Sequence, residues 1–286
     1  MSNLLKESLI HSSSVIAAIF TFFPESFFGK FKFIVVDYIA NKEFISHFFT
    51  SSELNIVFNR ILCCLLICFL IYVCYQIYFT FRRSITIKEK DFEIQVSYGN
   101  LLKQKNCKRV ISFDECFTTR VGNGVGDIKS NSLCGQYLEE NPNLDIDKLI
   151  SAVHLIPEVR KSKYLRKVRY KSGSLVPYEN DLLLAFAPLD ENGRGVFSSY
   201  KDYTDSLTVL WKELDKYYAQ HNVCIPILGS GITRIGDGLG HSFSQQELLS
   251  IMIGSYKISP YKIKKPFKLR IICRKQSDFT LENIKY

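Results

Sequence analysis

The sequence predicts an α/β domain with a mainly parallel or mixed sheet, behind an N-terminal membrane region of two helices. Three observations carry this. One run of 21 residues holds no charge, strand-like and helix-like periods alternate after Arg83, and two glycine clusters follow apolar strands. The 286 residues are 47% hydrophobic and 14% aromatic, which is enough to bury a core and excludes a disordered chain. Nine cysteines do not make a disulfide framework here, because the count is odd and Cys63, Cys64, Cys68 and Cys74 fall inside the apolar run.

The membrane region is expected over 1–83, with helices at about 9–28 and 57–81. Residues 61–81 read ILCCLLICFLIYVCYQIYFTF, with Gln76 the only strongly polar side chain. As a helix this run spans roughly 30 Å, the thickness of a bilayer core. Arg60 precedes it, Arg82 and Arg83 follow it, and Tyr72, Tyr75, Tyr78 and Phe79 crowd its end like an interfacial belt. The paired arginines place that end in the cytoplasm by the positive-inside rule. The earlier run, 9–28, is interrupted by His11, three serines, Pro24 and Glu25. It reads as a first span, with an amphipathic or re-entrant segment as the alternative, and it lacks the small-residue site of a cleaved signal peptide. Residues 29–55 alternate charge with Phe and Ile, which suits a membrane surface or a partner subunit.

Residues 84–286 are expected to form one ligand-binding domain. Of 37 Lys+Arg and 28 Asp+Glu, 7 and 5 precede Ser84, so this domain is basic. Strands are predicted at 84–87, 92–98, 109–113, 182–187, 223–228 and 269–273. Tyr203, Leu207, Leu210, Trp211, Leu214 and Tyr218 recur at helical spacing over 199–220. Ser244 and Glu247 make a capping box that opens a helix over 245–258. The stretch 164–179, with Ser172-Gly173 in its middle, reads as an added hairpin. Alternation of strands and helices argues for a mainly parallel or mixed sheet.

In such sheets ligands bind beyond the carboxyl ends of the strands, and both glycine clusters lie there. Gly122, Asn123, Gly124, Val125 and Gly126 follow the strand at 109–113. Gly229, Ser230, Gly231, Ile232, Thr233 and Arg234 follow the strand at 223–228. Glycine lets backbone amides close on an anion, and Arg234 adds charge, so the two loops point to a phosphate-bearing ligand. The P-loop spacing is absent, the clusters sit too late for a dinucleotide fold, and no nucleophile elbow is present. His154, His221 and His241 are scattered and Cys107, Cys116, Cys134, Cys224 and Cys273 form no CxxC, so no metal is expected; Cys116 is the one thiol near a glycine loop.

The order of these motifs resembles a macro domain, the fold that binds ADP-ribose. The stretches ECFTTRVGNGVG, FAPLDENGRG, the Trp211 helix and PILGSGITRIGDG are similar to the macro domain of the Thoeris antiphage effector family. Two apolar helices ahead of it match that family's membrane-bound, type II form. The resemblance covers roughly 84–280 and implies a macro-domain-like mixed sheet. It implies that Asn100, with Leu101, stands where many macro domains place an adenine-reading Asp. Asp114, Thr118 and Thr119 stand in the stretch where ADP-ribose hydrolases carry Asn-Ala-Ala-Asn, a run that is absent here. The two glycine loops match those that hold the diphosphate.

The resemblance further implies a receptor without its own chemistry or cofactor, in the inner membrane of a bacterium with its domain in the cytoplasm. Its signal would be an ADP-ribose derivative, a histidine conjugate, made by an NAD-consuming TIR-domain enzyme. Binding would drive homo-oligomerisation, membrane disruption and abortive infection. The competing reading is a membrane-tethered ADP-ribosyl hydrolase. The basic cluster at Lys257, Lys262, Lys264, Lys265, Lys268, Arg270, Arg274 and Lys275 is assigned to lipid or solvent rather than to nucleic acid.

Overall fold

The computed structural model describes residues 3–30, 50–81, 83–231, 233–236, 243–274, 279–281 and 284. It divides into two compact units, Met1–Arg82 and Arg83–Tyr286.

The first unit contains helices α1 (Asn3–Phe22), α2 (Glu25–Phe28) and α3 (Ser51–Phe81). The expected helix at 9–28 is broken, because Pro24 lacks the amide a continuing helix needs and instead precedes α2 in extended conformation. Helix α3 begins earlier than expected. Thr50 and Glu53 form a capping box, with Thr50 N–H donating to Glu53 Oε2 at 2.8 Å and Glu53 N–H to Thr50 Oγ1 at 3.4 Å. Within α3, Ser51–Tyr78 is long and apolar enough to cross a membrane, whereas the apolar part of α1, Ser8–Phe22, is shorter than the roughly 20 residues a span requires. Of the expected pair of spans, one helix meets the requirement among the described residues. Polar groups tie the short helices to α3. Asn59 donates to Phe28 O at 2.5 Å, Tyr75 Oη meets His11 Nδ1 at 3.1 Å, and Arg60 pairs with Glu25 at 3.1 Å while lying over the Phe20 and Phe28 rings. Of the surface segment read over 29–55, residues 31–49 lie outside the described residues.

The second unit runs β1 (Ser84–Lys88), β2 (Glu93–Tyr98), β3 (Cys107–Asp114), α4 (Leu133–Glu140), α5 (Ile146–Ala152), β4 (Leu175–Tyr178), β5 (Asp181–Ala187), β6 (Val196–Phe197), α6 (Tyr200–Tyr217), β7 (Asn222–Pro226), β8 (Arg234–Ile235), α7 (Gln245–Ile258) and β9 (Leu269–Cys273). Seven strands form one mixed sheet in the order β1-β2-β9-β7-β3-β5-β4. Strands β2, β9, β7, β3 and β5 are parallel, and β1 and β4 are antiparallel edges.

Strand β5, DLLLAFA, is buried at every position, as expected of a strand covered on both faces. Period-two alternation sorts its side chains. Leu182, Leu184 and Phe186 join the layer of α6 and α7, while Leu183 and Ala185 join that of α4 and α5. Trp211 of α6 is the anchor of the first layer: its ring meets Tyr256 edge-on at 5.0 Å and its indole N–H donates to Ser255 Oγ at 3.0 Å. Burial of such a side chain stabilises by about 2–3 kcal/mol. The Ser244 capping box and the helix it opens are present as read from the sequence. The hairpin expected over 164–179 is corrected: β4 pairs with β5 across 179–180, and Ser172-Gly173 instead forms a turn, closed by Ser174 N–H to Lys171 O at 3.1 Å, that leads into β4. A Cβ on Gly173 would lie 2.3 Å from Ser206 O, so glycine there permits close contact with α6. Helices α4 and α5 were not read from the sequence.

Candidate functional site

Parallel pairing fixes which loops meet. The carboxyl ends of β2, β9, β7, β3 and β5 point to one end of the sheet, so Asn100 after β2, residues 114–126 after β3 and residues 229–234 after β7 all emerge there. Between the last two, β3 and β7 share ladder pairs only from Cys107 to Arg109 against Asn222 to Cys224. Beyond them 110–114 and 225–226 carry no ladder bond to one another, which is where an open α/β sheet admits a ligand.

The first glycine loop is closed on itself. Asp127 sends its carboxylate back into the loop, accepting from Gly124 N–H at 2.8 Å and from Arg120 Nε at 2.5 Å. A Cβ on Gly122 or Gly124 would lie 2.7 or 2.6 Å from Asp127 Oδ2. These glycines therefore make room for an internal anion. Arg120 beside it, with the Gly124 amide, holds the Asp127 carboxyl below the usual carboxylate range. Lys129 Nζ donates to Asn123 O at 3.1 Å. Gly126 has φ +78 and its missing Cβ would sit 2.5 Å from the Tyr164 ring, while Tyr164 Oη donates to Val125 O at 2.7 Å. Val125 and Asn123 are exposed at the rim.

The second loop is braced at its two ends. Tyr203 Oη donates to Leu228 O at 3.0 Å, Ser230 Oγ donates to Ile227 O at 2.7 Å, and Gly229 takes φ +82. Arg234 and Ile235 pair with Val196 and Phe197, which joins this loop to the one after β5. Thr233 approaches Gly195, and Arg234 is exposed. Gly231 is exposed, and a Cβ there would meet nothing within 4 Å among the described residues; the same space is open at Gly236, but that residue takes φ +115 whereas Gly231 has no positive φ. Ile232 lies outside the described residues.

The remaining predicted residues divide. Asn100 is exposed, and its Oδ1 accepts from Leu102 N–H at 2.9 Å, so it caps the turn after β2. Leu101 is 4% exposed and packs in the α4–α5 layer, which removes its side chain from any ligand. Asp114 is buried and its Oδ1 accepts from Cys116 N–H at 2.8 Å and Thr118 N–H at 3.2 Å, shaping the bend. Thr118 Oγ1 is buried without a partner in this bend, and Thr119 is exposed. Burial, with Asp114 nearby, pushes the Cys116 thiol up to about 11, so it is no ready nucleophile at neutral pH.

Glu115 escaped the sequence reading, since nothing in ECFTTR marks which acid turns inward. It is 2% exposed and accepts from Ser162 Oγ at 2.5 Å, Leu189 N–H at 3.2 Å and Arg169 at 3.3 Å; Arg169 also pairs with Glu158. This knot fastens the segment between α5 and β4 to the ends of β3 and β5. Beside it opens a cleft of about 610 Å³, walled by Arg160 and Lys171 on one side and Asp202 and Asp205 of α6 on the other. It includes none of the residues of the two glycine loops, so it is a separate concavity. The C-terminal basic cluster is largely consumed by the fold. Lys257 pairs with Glu89 at 2.7 Å, Lys268 with Glu93 at 3.7 Å, Arg270 donates to Gln104 at 2.9 Å, and Lys262 donates to the Tyr256 and Ser259 carbonyls. Lys275 lies outside the described residues.

The family model described as Thoeris protein ThsA, Macro domain, matches residues 94–274. The chain belongs to the Thoeris ThsA macro-domain family. Thoeris protein ThsA of Bacillus amyloliquefaciens (strain Y2) is 30% identical over 205 residues, 68% of this chain and 67% of that protein. Among solved structures, the Oceanobacillus iheyensis macrodomain with ADP is 11% identical and covers 68% of this chain and 90% of its own, with a TM-score of 0.39. Thermosipho africanus DarTG in complex with ADP-ribose is 14% identical and covers 68% and 45%, with a TM-score of 0.37. The ThsA match begins within β2 and ends just after β9, so it takes in both glycine loops, Asn100 and Glu115.

Proposed function

We propose that this chain is a membrane-bound receptor of an antiphage system whose macro domain binds an ADP-ribose derivative at the carboxyl end of its sheet. In this reading the adenine end lies by Asn100 and the diphosphate between residues 122–126 and 229–234. Arg234 supplies positive charge. The signal is a nucleotide made by an NAD-consuming TIR-domain enzyme, with histidine as its terminal group. Occupancy drives self-association through the membrane region, disrupting the membrane and killing the infected cell. Helix α3 holds the domain to the bacterial inner membrane, with the domain in the cytoplasm. The domain boundary in this reading falls at 83–84.

The observation that carries the reading is Gly231. Its backbone lies outside the left-handed region that favours glycine, and no described neighbour crowds its missing Cβ. Among the described residues nothing requires glycine at that point, whereas a phosphate that must approach the amides does. The Asp114 carboxylate is already engaged with two amides, which suits binding without turnover.

The test is calorimetry of the full chain in detergent with ADP-ribose, beside Gly231→Trp. Binding that is lost in the variant, with unfolding temperature retained, is the expected outcome; equal binding by both would remove the site from this loop. Free ADP-ribose released catalytically from an ADP-ribosylated protein would overturn the receptor reading in favour of a hydrolase. Particle mass in detergent, with and without ligand, checks self-association separately.

A further inference from the structure

Among the described residues the second unit leaves seven large apolar side chains exposed, and four of them, Ile156, Val159, Leu165 and Val168, lie in the insert between α5 and β4. Of these four, Val159 and Ile156 are the most exposed, at 102% and 82%. The same stretch, 156–171, carries seven Lys and Arg against one acid, Glu158. That acid is already paired with Arg169, while Arg160, Lys161, Lys163 and Arg166 have no carboxylate partner among the described residues. Apolar and cationic side chains thus interleave on one exposed loop, a composition suited to an anionic bilayer surface.

The loop is built to hold this display. Backbone bonds close it at Glu158 N–H to Arg169 O (2.9 Å) and Ser162 N–H to Lys167 O (3.0 Å). Leu165 and Arg166 both take positive φ, 50 and 51, at its tip, and Leu165 stands out to solvent. Neither is glycine, so the turn is held against local preference by the surrounding bonds. Glu115 anchors the base through Ser162 and Arg169.

Position within the sheet agrees. The anchor lies at the carboxyl ends of β3 and β5. The chain enters this unit at the same end, because antiparallel β1 sets Ser84 opposite Ser97 and Tyr98 N–H bonds Arg83 O at 3.0 Å. Five strand spacings separate β1 from β5, roughly 24 Å across that end. A surface lying along it would meet both the entry point and the insert.

We infer that the insert at 156–168 is a second contact of this domain with anionic lipid. The inference rests on the membrane-bound reading above and deepens it. Tyr164 links the insert to the first glycine loop, through its bond to Val125 O and its packing under Gly126 and Gly193. The lipid contact and the candidate ligand loop therefore share a residue.

The test is the full chain carrying Val159→Trp, reconstituted in phosphatidylglycerol-containing or purely phosphatidylcholine vesicles. Wild type, whose single tryptophan Trp211 is buried, supplies the background. The expected result is a blue shift and quenching by brominated acyl chains in the anionic vesicles only. Both should be lost at about 1 M salt, where the screening length is about 3 Å, and in the added triple variant Lys161→Glu, Lys163→Glu, Arg166→Glu. Protein that floats with anionic vesicles yet keeps solvent-like, unquenched emission overturns the insert contact and leaves the receptor reading standing. Protein extracted from vesicles at alkaline pH overturns both. Loss of RNA binding in the triple variant, with lipid quenching absent, would assign the loop to nucleic acid and equally overturn the proposal.

Discussion

The two glycine loops look alike in sequence and differ in structure. Each follows an apolar parallel strand and each holds three glycines within eight residues. In the first, glycine is demanded by the fold itself, because Asp127 and Tyr164 occupy the space where side chains would stand. In the second, no described residue crowds the missing Cβ of Gly231. A glycine count therefore does not locate a ligand; the question is what fills the room that each missing Cβ leaves.

The largest effect that bears on this contrast is expected at Gly126. Gly126→Ala places a methyl 2.5 Å from a ring that is itself bonded to Val125, at a φ that disfavours alanine. A loss of about 2–4 kcal/mol is expected in chemical unfolding of the full chain. Gly231→Ala should change stability by less than about 0.5 kcal/mol, and equal losses at both positions would erase the distinction between the loops. Next comes Gly231→Trp, for which ADP-ribose affinity should drop at least about tenfold, or 1.4 kcal/mol, with the unfolding midpoint unmoved.

A smaller and more informative effect concerns Asp127. If the diphosphate uses both loops, the internal carboxylate repels it, and Asp127→Asn should tighten ADP-ribose binding. Unchanged affinity would confine the ligand to the second loop. Smallest is the pH response of the first loop. Its carboxyl is held below the ordinary value near 4, so the bond to Gly124 is complete above that value and is lost as pH falls through the depressed one. Hydrogen exchange in a peptide over 120–129, corrected for intrinsic rates, should be flat from neutral pH to about 5 and rise below about 4. A rise already near pH 6 would mean that Arg120 does not hold the acid.

Much of the fold was legible because its signals are local. The strands at 84–87 and 269–273 and the helix over 245–258 announce themselves through apolar periodicity and a capping box, which depend on residues at most a few places apart. Helices α4 and α5 were missed because they are short, eight and seven residues, and give a weak period. The break at Pro24 was visible as a residue and misjudged as a consequence. At the site, the glycine loops were legible and their occupancy was not. Glu115, Asp127 and Tyr164 act through partners 47, 7 and 39 positions away, and no local pattern marks such pairs.

Hydropathy and periodicity along the chain suffice to set a charge-free helix of membrane length before a basic α/β domain, and to put two glycine loops after parallel strands. Those properties depend on each residue's own chemistry and its near neighbours. Which loop closes on an internal acid, which basic residues are already paired, and which insert is left both cationic and apolar depend on groups brought together by strand order. Only the packed structure decides them, because an electrostatic or steric contact is set by distance in space.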